Sequence, residues 1–496
     1  MLIVISDLHF VDATAGDHNL PARAFKQVFM SNIISLARKN QATEIKLLLL
    51  GDIPDLIRSE QWFDEAPENR PWGANGLRDI PHPRLGSRVE KRCLRILGEL
   101  PASGRRADVP ENTILFQNWD TFEFFRNFDK IIHQELGRDM PVEIRYVIGN
   151  HDRLVNLYPT LRDEVRKQLG LTVNTSTVEV LDGMEWWYPY AFQDDTYGVF
   201  ARHGHQFDTY NYNGASTYTR EDHLQVPVGD VIATEFAVNL PRTLRGLQAE
   251  YPDVSDDLVT AMQDIDNVRP LGRMMEWLYS KMRLVNNPEI LKALDKSLDT
   301  VVNHMFEVDF IRHWRHPDTH VDELVRAFSR TPFKEVINMV TRVTDANKLL
   351  PLLLPAIERQ MVDEGLDDYT RGAFYELGWR RPDSETRFVL YGHTHKPVIR
   401  PMETINGRDI IYMNTGTWRG RFFRTISLDK TADFIRQNQL TFLVFYNVAE
   451  DRQGKESGTI GFESWTGNQK KAYQKDAAKE AVFLSPEVKA EKVSVP

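Results

Sequence analysis

MLIVISDLHF (Met1–Phe10) begins with a short apolar, β-favouring run, Leu2–Ile5, and then sets Asp7 and His9 two positions apart. The arrangement recurs four times along the chain. KLLLL leads to GDIPD (Gly51–Asp55), IRYVI to GNHD (Gly149–Asp152), GVFA to HGH (His203–His205) and RFVL to GHTH (Gly392–His395). Asp, Asn and His thus recur where a buried strand runs out into a loop. An α/β protein builds its site there, because the crevice lies outside the carboxyl ends of the strands. Carboxylate, amide oxygen and imidazole without thiolate form a hard-to-borderline donor set. The pattern predicts two divalent metal ions.

The five blocks, in this order, resemble the calcineurin-like metallophosphoesterase family, whose pattern reads D-x-H, G-D-x-x-D, G-N-H-D/E, H and G-H-x-H. The resemblance covers roughly residues 1–55, 115–205 and 385–450. It implies an α/β fold, a four-layer αββα sandwich of two mixed sheets. It also implies that Asp7, His9 and His395 hold one ion, that Asn150, His203 and His393 hold the other, and that Asp52 bridges them. The spacing agrees, since ligands two residues apart on an extended strand end share a face. Family analogy makes His151 a general acid, with Asp152 orienting its ring, and gives Asp55 a supporting role. The implied reaction is hydrolysis of a phosphodiester, pyrophosphate or phosphomonoester by hydroxide generated at the metal pair, with Mn favoured over Zn, Fe or Ni.

Substrate contacts are expected from residues flanking the blocks. Arg153 follows GNHD and suits a bidentate phosphate contact, or else an ordinary surface position. His205 is expected to support a ligand or to meet substrate. Asp208, Tyr210 and Asn211 leave HGH directly, and Thr417 and Arg419 lie in the turn after the last ligand pair.

At 496 residues the chain exceeds one ordinary core, so a scaffold with added modules is expected. The core reads as 1–205 and 387–450. A first insertion, 56–112, mixes arginines with acids and reads as a solvated face rather than an anion-binding wall. A second, 206–386, is almost wholly helical in pattern and attaches at His203 and His393. Its stripe Leu271, Met274, Met275, Leu278 and Met282 has helical spacing, and it is expected to form a cap with its own core. Residues 451–496 read as a charged tail without assigned function.

The scaffold pattern predicts helices over 22–39, 121–137 and 157–169. It predicts strands over 3–6, 44–50, 143–148, 177–181, 198–202, 388–391, 397–401, 409–413 and 441–446. The single cysteine, Cys93, falls in a helical pattern; it excludes an internal disulfide and fits a reducing cytoplasm. No targeting signal or run of transmembrane length is apparent, which predicts a cytoplasmic protein.

A net charge of −10 speaks against a general nucleic-acid binder. The substrate is expected to be a phosphorylated small molecule or a lipid-linked one. SDLHF and GHTHKP, with helices between HGH and GHTH, look like the bacterial UDP-2,3-diacylglucosamine hydrolases, but the insertion here is far larger. A nuclease of the same fold is the alternative, and an inactive binding protein a second one. The full set of ligand types opposes that second alternative.

Overall fold

The protein's structure is a computed structural model. It describes residues 1–73, 85–171, 188–208, 210–212, 222–223, 225–268, 273–282, 284–285, 287–313, 368–376, 380, 384–405, 407–425, 434–450 and 460–469. The strands are β1 (Leu2–Ile5), β2 (Ile45–Leu50), β3 (Val142–Val147), β4 (Ala191–Asp194), β5 (Val199–Arg202), β6 (Phe388–Tyr391), β7 (Pro397–Ile405), β8 (Arg408–Thr415), β9 (Gly420–Arg424), β10 (Phe434–Tyr446) and β11 (Gly461–Gln469). One sheet runs β11-β10-β1-β2-β3 with β9 also on β10, and the other β4-β5-β6-β8-β7. Each is mixed. β1, β2 and β3 are parallel in the first sheet and β5, β6 and β8 in the second, with antiparallel strands outside them.

Alternation along each strand builds the layers. Leu2 and Val4 of β1, with Leu48 and Leu50 of β2, point between the sheets and meet Val199, Ala201, Leu390 and Met413. Ile3, Ile5, Leu47 and Leu49 point the other way, into a large cluster shared with Phe25, Phe29 and Ile33. The far face of the second sheet, at Phe200, Val389 and Tyr391, is covered by Ala373 of the helix Asp368–Tyr375. Strands buried on both faces read as continuous apolar runs, which is how IKLLLL and LIVI appear.

Several expectations shift. The helix over 22–39 begins as a wide π-type turn, Ala24–Phe29, before an α-helix, Met30–Lys39. That over 121–137 divides at Asn127 into Trp119–Arg126 and Phe128–Leu136. The strand over 177–181, Leu271 and everything between 314 and 367 lie outside the described residues. The supposed tail contributes β11, which pairs with β10 from Gln469 through Gly461. Trp465 there stacks on Phe442, with ring centroids 5.8 Å apart.

The largest revision concerns the second insertion. Its described helices, among them Asn239–Gly246, Met274–Met282 and Pro288–Glu307, do not carry a separate core. Their buried residues, including Ile232, Phe236, Leu244, Leu278 and Val301, belong to the same cluster as Ile3, Phe25 and Trp62. Polar contacts confirm the join: Thr234 Oγ1 donates to the Ile57 carbonyl at 2.7 Å, and Trp72 Nε1 to Glu235 at 2.7 Å. In the first insertion, Arg70 pairs with Glu235 at 2.6 Å and Arg92 with Glu65 at 2.7 Å. Those two arginines fasten the fold instead of lining an anion site. Cys93 is buried.

Candidate metal centre

The carboxyl ends of the six parallel strands, three from each sheet, come together at one edge of the sandwich. Backbone bonds lock the loops: Asp7 N donates to Gly51 O (3.1 Å), His9 N to Asp52 O (2.9 Å) and Gly392 N to His203 O (2.9 Å). The loops are not extended strand ends. Asp7, His9, Asp52, His393 and His395 all have positive φ, between 46° and 67°; among the described residues only two other non-glycine residues do. This left-handed region is uncommon for non-glycine residues and costs energy that the surroundings must overcome. Left-handed turns, not strand pleat, therefore bring the i and i+2 side chains to one place. The glycines are needed for closeness: a Cβ on Gly51 would strike the His203 ring, and one on Gly149 the Asp52 carboxylate.

Three groups of side chains converge there, one of them His9, Asp55 and His151. Ligand-capable atoms of Asp7, His9 and His395 lie within 4.8 Å of one another, as do those of Asp52, His203 and His393. Asp52 Oδ2 stands between them, 3.2 Å from His203 Nε2 and 3.6 Å from His9 Nε2. His9 Nε2 and His395 Nε2 face each other at 3.0 Å, and His395 Nε2 is 3.2 Å from Asp7 Oδ1. Asn150 Nδ2 donates to Asn211 Oδ1 (3.3 Å).

The donor set fits metal binding on structural grounds. Asn150 Oδ1 is buried and makes no hydrogen bond, although buried polar atoms are normally satisfied, while Asp7 Oδ1 and His203 Nε2 face other expected ligands, His395 Nε2 and Asp52 Oδ2, at 3.2 Å each. Behind them the other atoms are engaged: His203 Nδ1 with the Leu50 carbonyl (2.8 Å), His9 Nδ1 with Asp55 Oδ2 (2.9 Å), and Asp7 Oδ2 with His393 N (3.0 Å) and the Ser6 hydroxyl. Such backing fixes ring tautomer and orientation in metal sites.

Electrostatics tell the same story. Burial opposes protonation of His203, but the Asp52 and Asp7 carboxylates outweigh it and lift the ring to about 10. A proton there does the work of a cation, and it must leave before an ion is held. Burial lowers His395 to about 3, so its ring is neutral and competent as a ligand. Burial would raise Asp55, yet the neighbouring His151 and Arg58 hold it well below the carboxylate range.

The expected partner of His151 changes. Its Nδ1 lies 3.1 Å from Asp55, not against Asp152. The Asp152 carboxylate turns back to Gly149 N (2.5 Å), Ile53 N (3.0 Å) and the Tyr146 hydroxyl, so it pins the GNHD loop. Burial and the Asp52 charge lift it to about 7.

The expected substrate contacts are likewise redistributed. Arg153 is buried and paired with Asp230 of the second insertion at 3.1 Å. His205 is buried among the rings of His203, Tyr212 and His223. Asp208 Oδ2 meets His393 Nε2 at 3.0 Å and accepts from Asn211 Nδ2 at 2.7 Å, which places it beside an expected ligand. Tyr210 packs against the large apolar cluster. Thr417 Oγ1 donates to the Asp7 carbonyl (2.9 Å), and Arg419 is buried against Asp266 (2.7 Å). Sequence reasoning missed Arg58, whose Nη1 is 3.1 Å from Asp55; its place three residues after GDIPD was the available signal.

The chain matches no protein-family model, and a search of curated proteins found no match. Among the described residues no helix is long and apolar enough to cross a membrane.

Proposed function

We propose that this protein is a dinuclear metal-dependent phosphoric ester hydrolase with the calcineurin-like sandwich. One observation carries the reading: Asp7, His9 and His395 form one group of close ligand-capable atoms and Asp52, His203 and His393 another, with Asp52 Oδ2 also 3.6 Å from His9 Nε2 of the first. Asp7, His9 and His395 would hold one ion, and Asn150, His203 and His393 the other, with Mn the favoured metal. When bound, such a pair lowers the pKa of water and offsets charge on phosphoryl oxygens.

The chain's own contribution to bond cleavage centres on His151. Asp55 holds its Nδ1, which leaves Nε2 to hand a proton to the departing oxygen. Burial disfavours its charged form, but Asp55 outweighs that and raises the ring above its ordinary value, which suits a proton donor near neutral pH. Phosphodiesters, pyrophosphates and phosphomonoesters of small or lipid-linked molecules are the substrates to try, in a panel run with Mn²⁺.

His151→Asn tests the assignment. The variant is expected to keep both ions and to lose roughly 10²–10⁴ in kcat, the usual worth of a positioned acid. An ester with a very good leaving group should lose least, because it needs no proton. Equal losses on good and poor leaving groups would remove His151 from the acid role.

A further inference from the structure

The second insertion reaches the ligand loops through a buried chain of charges. Arg58 is 1% exposed; its Nη1 lies 3.1 Å from Asp55 Oδ2 and its Nε 3.0 Å from Asp266 Oδ1. Asp266, also 1% exposed, belongs to the 3-10 turn Gln263–Asn267 of the insertion. Its Oδ2 accepts from Arg419 Nη2 at 2.7 Å, while Arg419 Nε donates to Asn267 Oδ1 at 2.7 Å. The next residue, Val268, forms a parallel bridge with Phe422 of β9. The turn is therefore fixed to the first sheet's edge, and its carboxylate sits between two guanidiniums.

Asp55 is heavily shared. Its two oxygens serve Nδ1 of His9, Nδ1 of His151 and the Arg58 guanidinium. A buried guanidinium with one anion in reach draws on it fully; with two, it is held between them. Burial and the nearby Arg58 lower Arg419 to about 10, so it remains a cation at neutral pH and competes for Asp266 from the other side. Removing the Asp266 charge would leave Arg419 without its paired carboxylate and Arg58 with Asp55 alone, a costly state for buried cations. Arg58 would then turn wholly to Asp55 and pull it from the imidazoles.

We propose that Asp266 is a positioning residue for the metal centre: it holds Arg58 from the insertion and so keeps Asp55 seated against His9 and His151. This rests on the reading of His9 as a ligand. The insertion then acts on the site, because the ring of one ligand is only as well oriented as its carboxylate. Outer partners of metal-ligating imidazoles are typically worth about 10–100-fold in metal affinity.

The test is calorimetric titration of Mn²⁺ into the metal-free full-length protein, with thermal unfolding followed by circular dichroism as the check on folding. Asp266→Asn keeps the shape and removes the charge. It is expected to melt cooperatively and to bind one of two ions about tenfold or more weakly. Arg58→Lys keeps the charge, but a single ammonium cannot span two carboxylates as the fork does. It should show the same weakening, and it decides the matter if Asp266→Asn fails to fold. Wild-type affinity for both ions in a folded variant would reduce Asp266 to an anchor and overturn the proposal. A wild-type protein that takes up no Mn²⁺ would instead refute the functional reading, and this inference with it.

Discussion

Asp52→Asn is expected to abolish turnover and to cost the protein firm binding of at least one ion. Asparagine tolerates the left-handed backbone that Asp52 adopts at φ 55°, so the loop should survive and only the charge is lost. That charge is shared: Oδ2 faces His203 on one side and His9 on the other, while Oδ1 accepts from the His151 backbone N–H at 2.9 Å. No other carboxylate in the described site touches both ligand groups. A loss of at least about 10³-fold in kcat/KM, worth ~4 kcal/mol, is expected. Metal analysis of the purified variant should show fewer ions than wild type. Near-normal activity and metal content would refute the bridging role.

Replacing 206–386 by a short linker is expected to unfold the protein, not to yield a smaller active enzyme. Most of the insertion's described helices fill the same apolar cluster as the first sheet's outer face, and Asp368–Tyr375 covers the second sheet. Trp277 packs on Phe422 of β9 with ring centroids 5.8 Å apart, and Arg436 of β10 pairs with Asp264 at 3.1 Å. Uncovering six large side chains at about 1.5–3 kcal/mol each costs as much as the whole of a typical domain's stability. Urea titration followed by far-ultraviolet circular dichroism should show no cooperative transition in the excised protein. A cooperative transition with both ions retained would establish the insertion as a separate cap after all.

How much of this was legible in the sequence depended on how local each signal is. Every ligand block is a few residues long and follows an apolar run, so strand ends and ligand types could be read together. The strands LIVI, IKLLLL and FVLY were found for the same reason. Directions were harder. Asp152 adjoins His151 in sequence, yet the turn sends its carboxylate back to Gly149 and Ile53, and Asp55, nearly a hundred residues away, takes the imidazole. An amphipathic stripe such as Met274, Leu278 and Met282 announces a buried face but not what buries it, so the sequence did not reveal that these described helices join the main cluster. The strand β11 lay hidden in a charged stretch because its residues are largely exposed or half-buried, and its pairing with β10 supplies what composition did not show. Arg153 and Arg419 carried the right charge for a phosphate contact, but insertion carboxylates at Asp230 and Asp266 claim them.

Elemental analysis of the gently purified full-length protein, before and after reconstitution with Mn²⁺, tests the central claim most directly. The paired ligand groups predict about two ions per chain. A stoichiometry near zero that added Mn²⁺ does not restore would contradict the dinuclear centre.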